Sequence, residues 1–230
     1  MNQQQLIDNI AKVSSRVRLA AQKSQRKECD IRVLAVSKTR PAEAIRVASQ
    51  AGLSEFGENY LQEALDKMAD LADLSLVWHF IGPIQSNKTR AIAEHFQWVH
   101  SVDRLKIAER LSQQRPDNLD PLNICLQINL SSEASKSGVA PQQAAELLRG
   151  AAALPRIRVR GLMAIPAPTQ DQAQQRKNFA ELRELLEALK LEVPYLDTLS
   201  MGMSADLESA IAEGATIVRI GTDLFGARDG

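Results

Sequence analysis

The chain has 230 residues, 44% of them hydrophobic, with 28 Lys plus Arg set against 28 Asp plus Glu. That balance excludes an overall field that would draw the protein to nucleic acid or an anionic membrane, and no apolar run approaches the ~20 residues of a membrane span. The length supports one large core, and α/β barrels of this size run as a single domain.

Leu6, Ile10, Val13, Val17 and Ala20/Ala21 recur at helical spacing, so residues 3–24 read as an amphipathic helix rather than a signal peptide. Strand one is the β-branched run 31–36. Pro41 opens a helix that reaches Ala51, with Gly52 as its C′ residue. Strand two is short, 54–56, and ends on Gly57-Glu58-Asn59-Tyr60; a helix over 61–71 follows. Strand three is 76–81, ending at Gly82-Pro83, then a helix over 87–96 and strand four at 98–102. Asp103, a good N-cap residue, starts a helix that stops before Pro116. Strand five is 122–129, followed by a Ser/Gly loop at 131–138 and a helix over 141–153. Strand six is 157–165, broken by Pro166 and Pro168, and a long helix covers 171–191. Strand seven is 197–201, a helix runs 204–213 with Ser204 as its cap, and strand eight is 216–220. Cys29 and Cys125 belong to no metal-spaced set. Reduced thiols, no metal site and a cytoplasmic setting are expected.

Eight short apolar strands alternating with helices predict a parallel sheet with helical crossovers. Eight units in about 200 residues is the repeat of a (β/α)8 TIM barrel, here an α/β fold with an extra N-terminal helix. The other arrangement, a doubly wound open sheet, usually carries a Gly-rich turn after strand one. This chain has Ser37-Lys38-Thr39-Arg40-Pro41 there.

A barrel places its site at the carboxyl ends of the strands. Lys38 stands where strand one leaves the core. Desolvation there favours the neutral amine, which attacks aldehydes to give Schiff bases. The plain alternative is that Lys38 is the first solvated residue after a strand. The loops after strands seven and eight, Met201-Gly202-Met203-Ser204 and Gly221-Thr222, lie where barrels build phosphate sites. Arg219 alternates with Val218 and Ile220, so it points to the opposite face and needs an anion, a ligand acceptor or a carboxylate. Lys88 and Lys136, in loops at the same end, would form a cationic rim with Arg40 unless they are simply solvated. The strand ends hold no carboxylate pair for hydrolysis; Glu58 is the one plainly placed carboxylate. His79 reads as a satisfied core histidine, and His95 as an ordinary helix-end residue. A lysine nucleophile, a phosphate site and an arginine between them suggest a phosphorylated aldehyde, and pyridoxal 5′-phosphate fits.

The blocks Ala35-Val36-Ser37-Lys38-Thr39, Phe56-Gly57-Glu58-Asn59-Tyr60, Trp78-His79-Phe80-Ile81-Gly82, Gln85-Ser86-Asn87-Lys88, Gly161-Leu162-Met163-Ala164, Leu199-Ser200-Met201-Gly202-Met203-Ser204 and Arg219-Ile220-Gly221-Thr222 occur in this order. Together they resemble the YggS/PROSC family of pyridoxal-phosphate homeostasis proteins over nearly the whole chain. The resemblance implies one cofactor-binding barrel over residues 1–230, with residues 1–26 packed on it as the extra helix. It implies that Lys38 carries the cofactor as an internal aldimine and that Ser204, Gly221 and Thr222 hold its phosphate. It places Arg219 near the ring nitrogen and Asn59 in the pocket, with Ser200 and Met201 counted among the cofactor-binding residues. Lys88 and Lys136 match family lysines linked to cofactor handling. Many relatives have lysine where this chain has Arg40, and arginine keeps the charge but forms no Schiff base.

The family likeness points to a carrier that buffers pyridoxal phosphate or supplies it to apoenzymes, with no robust catalysis and no catalytic residues. A racemase needs a base on each face of a carbanion. Of the two tyrosines, Tyr60 is beside the site and Tyr195 is at the wrong end of strand seven. The chain ends soon after strand eight, without the separate domain that supplies the second base in alanine racemases. Arginine at the ring nitrogen also weakens the electron sink. The alternatives are a racemase-like enzyme of low activity and a phosphate-binding barrel with an aldolase-type imine. No nucleic-acid or membrane partner is expected, and the lone barrel reads as a monomer.

Overall fold

The computed structural model describes residues 2–131 and 137–227. Eight parallel strands close into a barrel in sequence order: β1 (Arg32–Val36), β2 (Glu55–Glu58), β3 (Val77–Phe80), β4 (Trp98–Val102), β5 (Leu122–Ile128), β6 (Ile157–Ala164), β7 (Thr198–Ser200) and β8 (Ile217–Ile220). β8 returns to β1 with Leu34 opposite Arg219 and Ala35 opposite Ile220, which closes the ring. The expected barrel is therefore the observed one, and each strand lies within a residue or two of its expected span.

The helices are α1 (Gln3–Lys23), α2 (Ala42–Gln50), α3 (Leu61–Asp70), α4 (Thr89–His95), α5 (Leu105–Gln114), α6 (Ala144–Ala152), α7 (Gln172–Leu189), α8 (Leu207–Ala212) and α9 (Thr222–Phe225). Two expected caps are corrected. Asp103 does not cap α5; its carboxylate takes the Arg104 guanidinium at 2.6 Å, and Arg104 holds the N-cap position. Ser204 does not cap α8, which begins three residues later after Asp206 has folded back to accept the Met203 N–H at 2.6 Å. Asp171 caps α7 by accepting from Ala173, and Gly52 ends α2 with φ +98°, a value that costs glycine little.

Two cores follow from the period-2 alternation of the strands. The larger lies between barrel and helices. It takes Ala35, Phe56, Phe80, Val99, Leu126, Leu162, Val218 and Ile220 from the outward faces. The smaller fills the lumen with Leu34, Trp98, Cys125, Met163 and Ile217. Burial pushes the Cys125 thiol up to about 12, so in the lumen it is filler rather than nucleophile. Outside the ring, α1 buries Leu6, Ile10, Val13, Val17, Ala20 and Ala21 and packs along α2, α8 and α9. Each fully buried Leu, Ile or Val contributes about 1.5–3 kcal/mol, so four of them fix this extra helix against the barrel.

Candidate functional site

Lys38 leaves β1 at the barrel mouth, within a turn gripped from both sides. Before it, the Ser37 N–H donates to the Gly57 carbonyl at 3.0 Å and the Ser37 hydroxyl donates to Glu58 Oε1 at 2.6 Å. After it, Thr39 adopts φ +63° and its N–H donates to Glu63 Oε1 at 2.5 Å. Lys67 joins the two sides. Its ammonium donates to the Ser37 carbonyl and to Glu58 Oε1 at 2.8 Å each, and to Glu63 Oε1 at 2.5 Å. Glu58, the carboxylate expected at the site, is fully buried and belongs to this clamp on the α3 side of the sheet. Burial pushes its carboxyl up, further than Lys67 and Ser37 bring it down.

Val218 and Ile220 pack in the outer core, so Arg219, on the face opposite theirs, lies on the lumen side of β8 and is 4% exposed. Its Nη1 donates to the Ser200 carbonyl at 2.5 Å and hydroxyl at 2.9 Å, and its Nη2 donates to the Ala164 carbonyl at 2.9 Å. Burial lowers its pKa to about 10, so the guanidinium stays charged at neutral pH. Guanidinium has five N–H donors. Its Nε–H and one Nη2 proton have no partner among the described residues. No carboxylate pairs with it among the described residues; the acceptors it meets are the Ser200 carbonyl and hydroxyl and the Ala164 carbonyl.

The loops after β7 and β8 meet. Ser204 Oγ accepts the Asp223 N–H at 3.3 Å. Gly221 packs against the end of β1, where an added Cβ would stand 3.4 Å from the Val36 carbonyl. Arg16 of α1 braces both loops. It donates to Glu208 Oε1 at 2.7 Å, to the Ser204 carbonyl at 3.0 Å and, by a short contact, to Asp223. Burial pushes the Glu208 carboxyl up, but Arg16 outweighs it and holds Glu208 below the usual carboxylate value.

Asn59 follows β2 at the same end. Gly82 is the reason it sits so close to β3, because a Cβ there would lie 2.3 Å from the Asn59 carbonyl. Asn59 Oδ1 is buried with no hydrogen-bond partner among the described residues. A buried amide oxygen without a partner is costly. With the open donors of Arg219, it gives the mouth polar groups suited to a heteroaromatic ligand.

The remaining expected residues fall in different places. Ser200 faces the lumen and supports Arg219. Met201 buries its side chain in the strand–helix core, so only its backbone stands at the strand end. Lys88 is exposed at the end of a short 3-10 turn, Ser86–Lys88. Lys136 lies outside the described residues. Arg40 is no open rim cation, since its guanidinium donates to the Gly226 and Ala227 carbonyls at 2.7 and 2.9 Å. Tyr195 is at the opposite end of β7, beneath the Arg158 guanidinium. Sequence reasoning missed Lys67, Glu63 and Arg16. The first two carried a signal, an acidic and a basic residue four apart on a helix; Arg16 carried none.

Residues 7–229 match the family described as alanine racemase, N-terminal domain. The chain is 66% identical over 224 residues to the pyridoxal phosphate homeostasis protein of Pseudomonas aeruginosa, covering 97% of this chain and 96% of that one. It is 51% identical over 224 residues to the protein of the same name from Escherichia coli K12, with 96% of each chain covered. Among solved structures, PipY of Synechococcus elongatus with PLP bound is 41% identical, with a TM-score of 0.82 over 93% of this chain and all of PipY (100%). Alanine racemase from Corynebacterium glutamicum, at 18% identity and a TM-score of 0.70, shares the fold over 96% of this chain and 62% of its own. By sequence and by fold, the chain belongs to the pyridoxal phosphate homeostasis proteins, a family built on the alanine racemase N-terminal domain.

Proposed function

We infer that this chain binds pyridoxal 5′-phosphate and serves in its homeostasis, holding the aldehyde on Lys38 as a Schiff base and buffering it or supplying it to apoenzymes. The observation that supports this most is Arg219, a buried cation on the lumen wall with open donors, on the strand next to the one that presents Lys38. When bound, the cofactor brings an electrophilic aldehyde and an electron-accepting ring. The chain's own residues do the rest. The Glu58–Lys67–Glu63 clamp aims the turn that carries Lys38. Ser204, Gly221 and Thr222 hold the phosphate, Asn59 contacts the ring, and Arg219 donates to the ring nitrogen. Ser200 orients Arg219, and the Met201 backbone closes the strand end. Lys88 and Lys136 are candidates for secondary handling of the cofactor.

A donor-only guanidinium at the ring nitrogen keeps that nitrogen unprotonated, which favours holding the cofactor over carbanion chemistry. Neither tyrosine of the chain offers a second base: Tyr60 is 53% exposed at the start of α3, and Tyr195 is at the far end of the barrel. Free cysteines at positions 29 and 125 fit a reducing, cytoplasmic setting. A monomer that meets apoenzymes transiently is the simplest form of this reading.

Titration with pyridoxal 5′-phosphate tests it. Saturable binding with a visible absorption band, lost in Lys38→Ala, is expected, together with transfer to an apoenzyme that restores its activity. Lys38-dependent exchange of the alanine Cα proton at enzyme-like turnover would favour a racemase-like activity. A chromophore that persists in Lys38→Ala would overturn the assignment.

A further inference from the structure

The lumen below Arg219 holds polar groups that the cofactor site does not use. His100 Nδ1 lies 2.7 Å from Ser200 Oγ, and His100 Nε2 lies 2.9 Å from His79 Nδ1. His79 Nε2 stands 3.2 Å from Glu55 Oε2, close enough for an ion pair but not aligned as a hydrogen bond. Both rings are fully buried, and His79 stacks on Trp98 at 5.5 Å between centroids. Glu55 opens β2 and is paired with Arg32, which opens β1, so this end of the series lies at the barrel floor.

The two ends fix the direction of every proton between them. Arg219 only donates, so its bond to Ser200 Oγ leaves the Ser200 hydroxyl to donate elsewhere, and His100 Nδ1 is within reach. His100 therefore carries its proton on Nε2 and donates to His79 Nδ1. His79 in turn carries its proton on Nε2, facing a carboxylate that only accepts. The reverse order would leave the Ser200 proton without an acceptor and set an imidazole lone pair 3.2 Å from the Glu55 carboxylate. The charged groups around the two rings are Glu55 on β2, Arg32 on β1 and Arg219 on β8. Burial disfavours the imidazolium form of both.

We propose that the lumen carries a one-way hydrogen-bond chain, Arg219 to Ser200 to His100 to His79, whose last ring faces the Glu55 carboxylate by charge proximity, and that this makes Ser200, His100 and His79 positioning residues for Arg219. The chain fixes the guanidinium against the β7 and β6 ends and ties its charge to a carboxylate at the opposite end of the barrel. It rests on the reading that Arg219 faces the cofactor ring, and it adds what holds Arg219 there.

The chain has three histidines, His79, His95 and His100, so nitrogen-15 histidine NMR resolves them in protein without added cofactor. His79 and His100 are expected as neutral Nε2–H tautomers at neutral pH. An Nδ1–H tautomer at either buried ring, or an imidazolium at pH 7, overturns the chain. Ser200→Ala frees His100 Nδ1. A change in the His100 nitrogen shifts, a displaced visible band in the cofactor-loaded protein and about tenfold weaker pyridoxal 5′-phosphate binding are expected, with Ser200→Thr restoring all three. If Ser200→Ala leaves the shifts and the band unchanged, the positioning role is wrong. If the unmodified protein has the expected tautomers but takes up no pyridoxal 5′-phosphate, the link to the cofactor is overturned and the site reading fails with it.

Discussion

The ammonium of Lys67 meets the carboxylate of Glu58 at 2.8 Å, and it is the same ammonium that holds the carbonyl just before Lys38. The pair is all but excluded from solvent, with side-chain exposures of 7% and 0%. A buried pair of this kind adds little net stability but is costly to break, about 3–5 kcal/mol when one partner is removed. Lys67→Met is expected to lower unfolding free energy by that amount in urea titrations and to weaken cofactor binding. Adding Glu58→Gln should recover most of the stability, because the orphaned charge goes with it. A stable, fully binding Lys67→Met protein would show that the turn needs no clamp.

Arg16 is the second brace. Asp223 and Glu208 place two carboxylates beside the loops assigned to the phosphate, and Arg16 offsets both while it holds the Ser204 carbonyl. Arg16→Gln is expected to weaken pyridoxal 5′-phosphate binding by about five- to tenfold, a range set by a partly exposed ion pair. Pyridoxal, which lacks the phosphate, should be affected less. Equal losses for both ligands would move the role of Arg16 away from the phosphate.

The lumen histidines predict how the fold responds to acid. Burial, helped by neighbouring positive charge, holds His100 well below the ordinary imidazole value, and burial outweighs Glu55 to lower His79. The unfolded chain thus binds protons that the folded chain refuses. Stability is complete above about pH 6.5 and is lost as pH falls below it. His100 alone accounts for about 1 kcal/mol between pH 6.5 and 5.5, and His79 adds in the same direction. Denaturant midpoints measured across that interval check the sign. A midpoint that holds constant or rises would mean that one ring is charged in the folded state.

Gly82 keeps the ends of β2 and β3 close, so a methyl group there must push on backbone rather than on a flexible side chain. Gly82→Ala is expected to cost about 1–3 kcal/mol by overpacking and to displace Asn59, with a matching loss of cofactor affinity. Unchanged affinity would remove Asn59 from the site.

The barrel was legible because eight apolar runs alternate with helical periods, and period-2 parity put Arg219 on the face opposite Val218 and Ile220, which the closed ring makes the lumen. The same parity places His79 and His100 on that face, yet parity names no partner. Their link through Ser200 depends on how strands three, four and seven curve across the lumen, which one strand's sequence does not contain. Ser204 looked like a cap because a serine preceded a helical pattern. The carboxylate of Asp206 closed the turn first and left Ser204 to the neighbouring loop. Lys67 and Arg16 lie on helices whose amphipathic pattern explains them as ordinary surface residues. Only the closed ring brings them to the strand ends.

Borohydride reduction of the protein loaded with pyridoxal 5′-phosphate, followed by peptide mass mapping, tests the central claim most directly. The visible band is expected to disappear, and one pyridoxyl group is expected on the peptide containing Lys38. A pyridoxyl group on another lysine, or a bound cofactor that borohydride cannot fix to the chain, would contradict it.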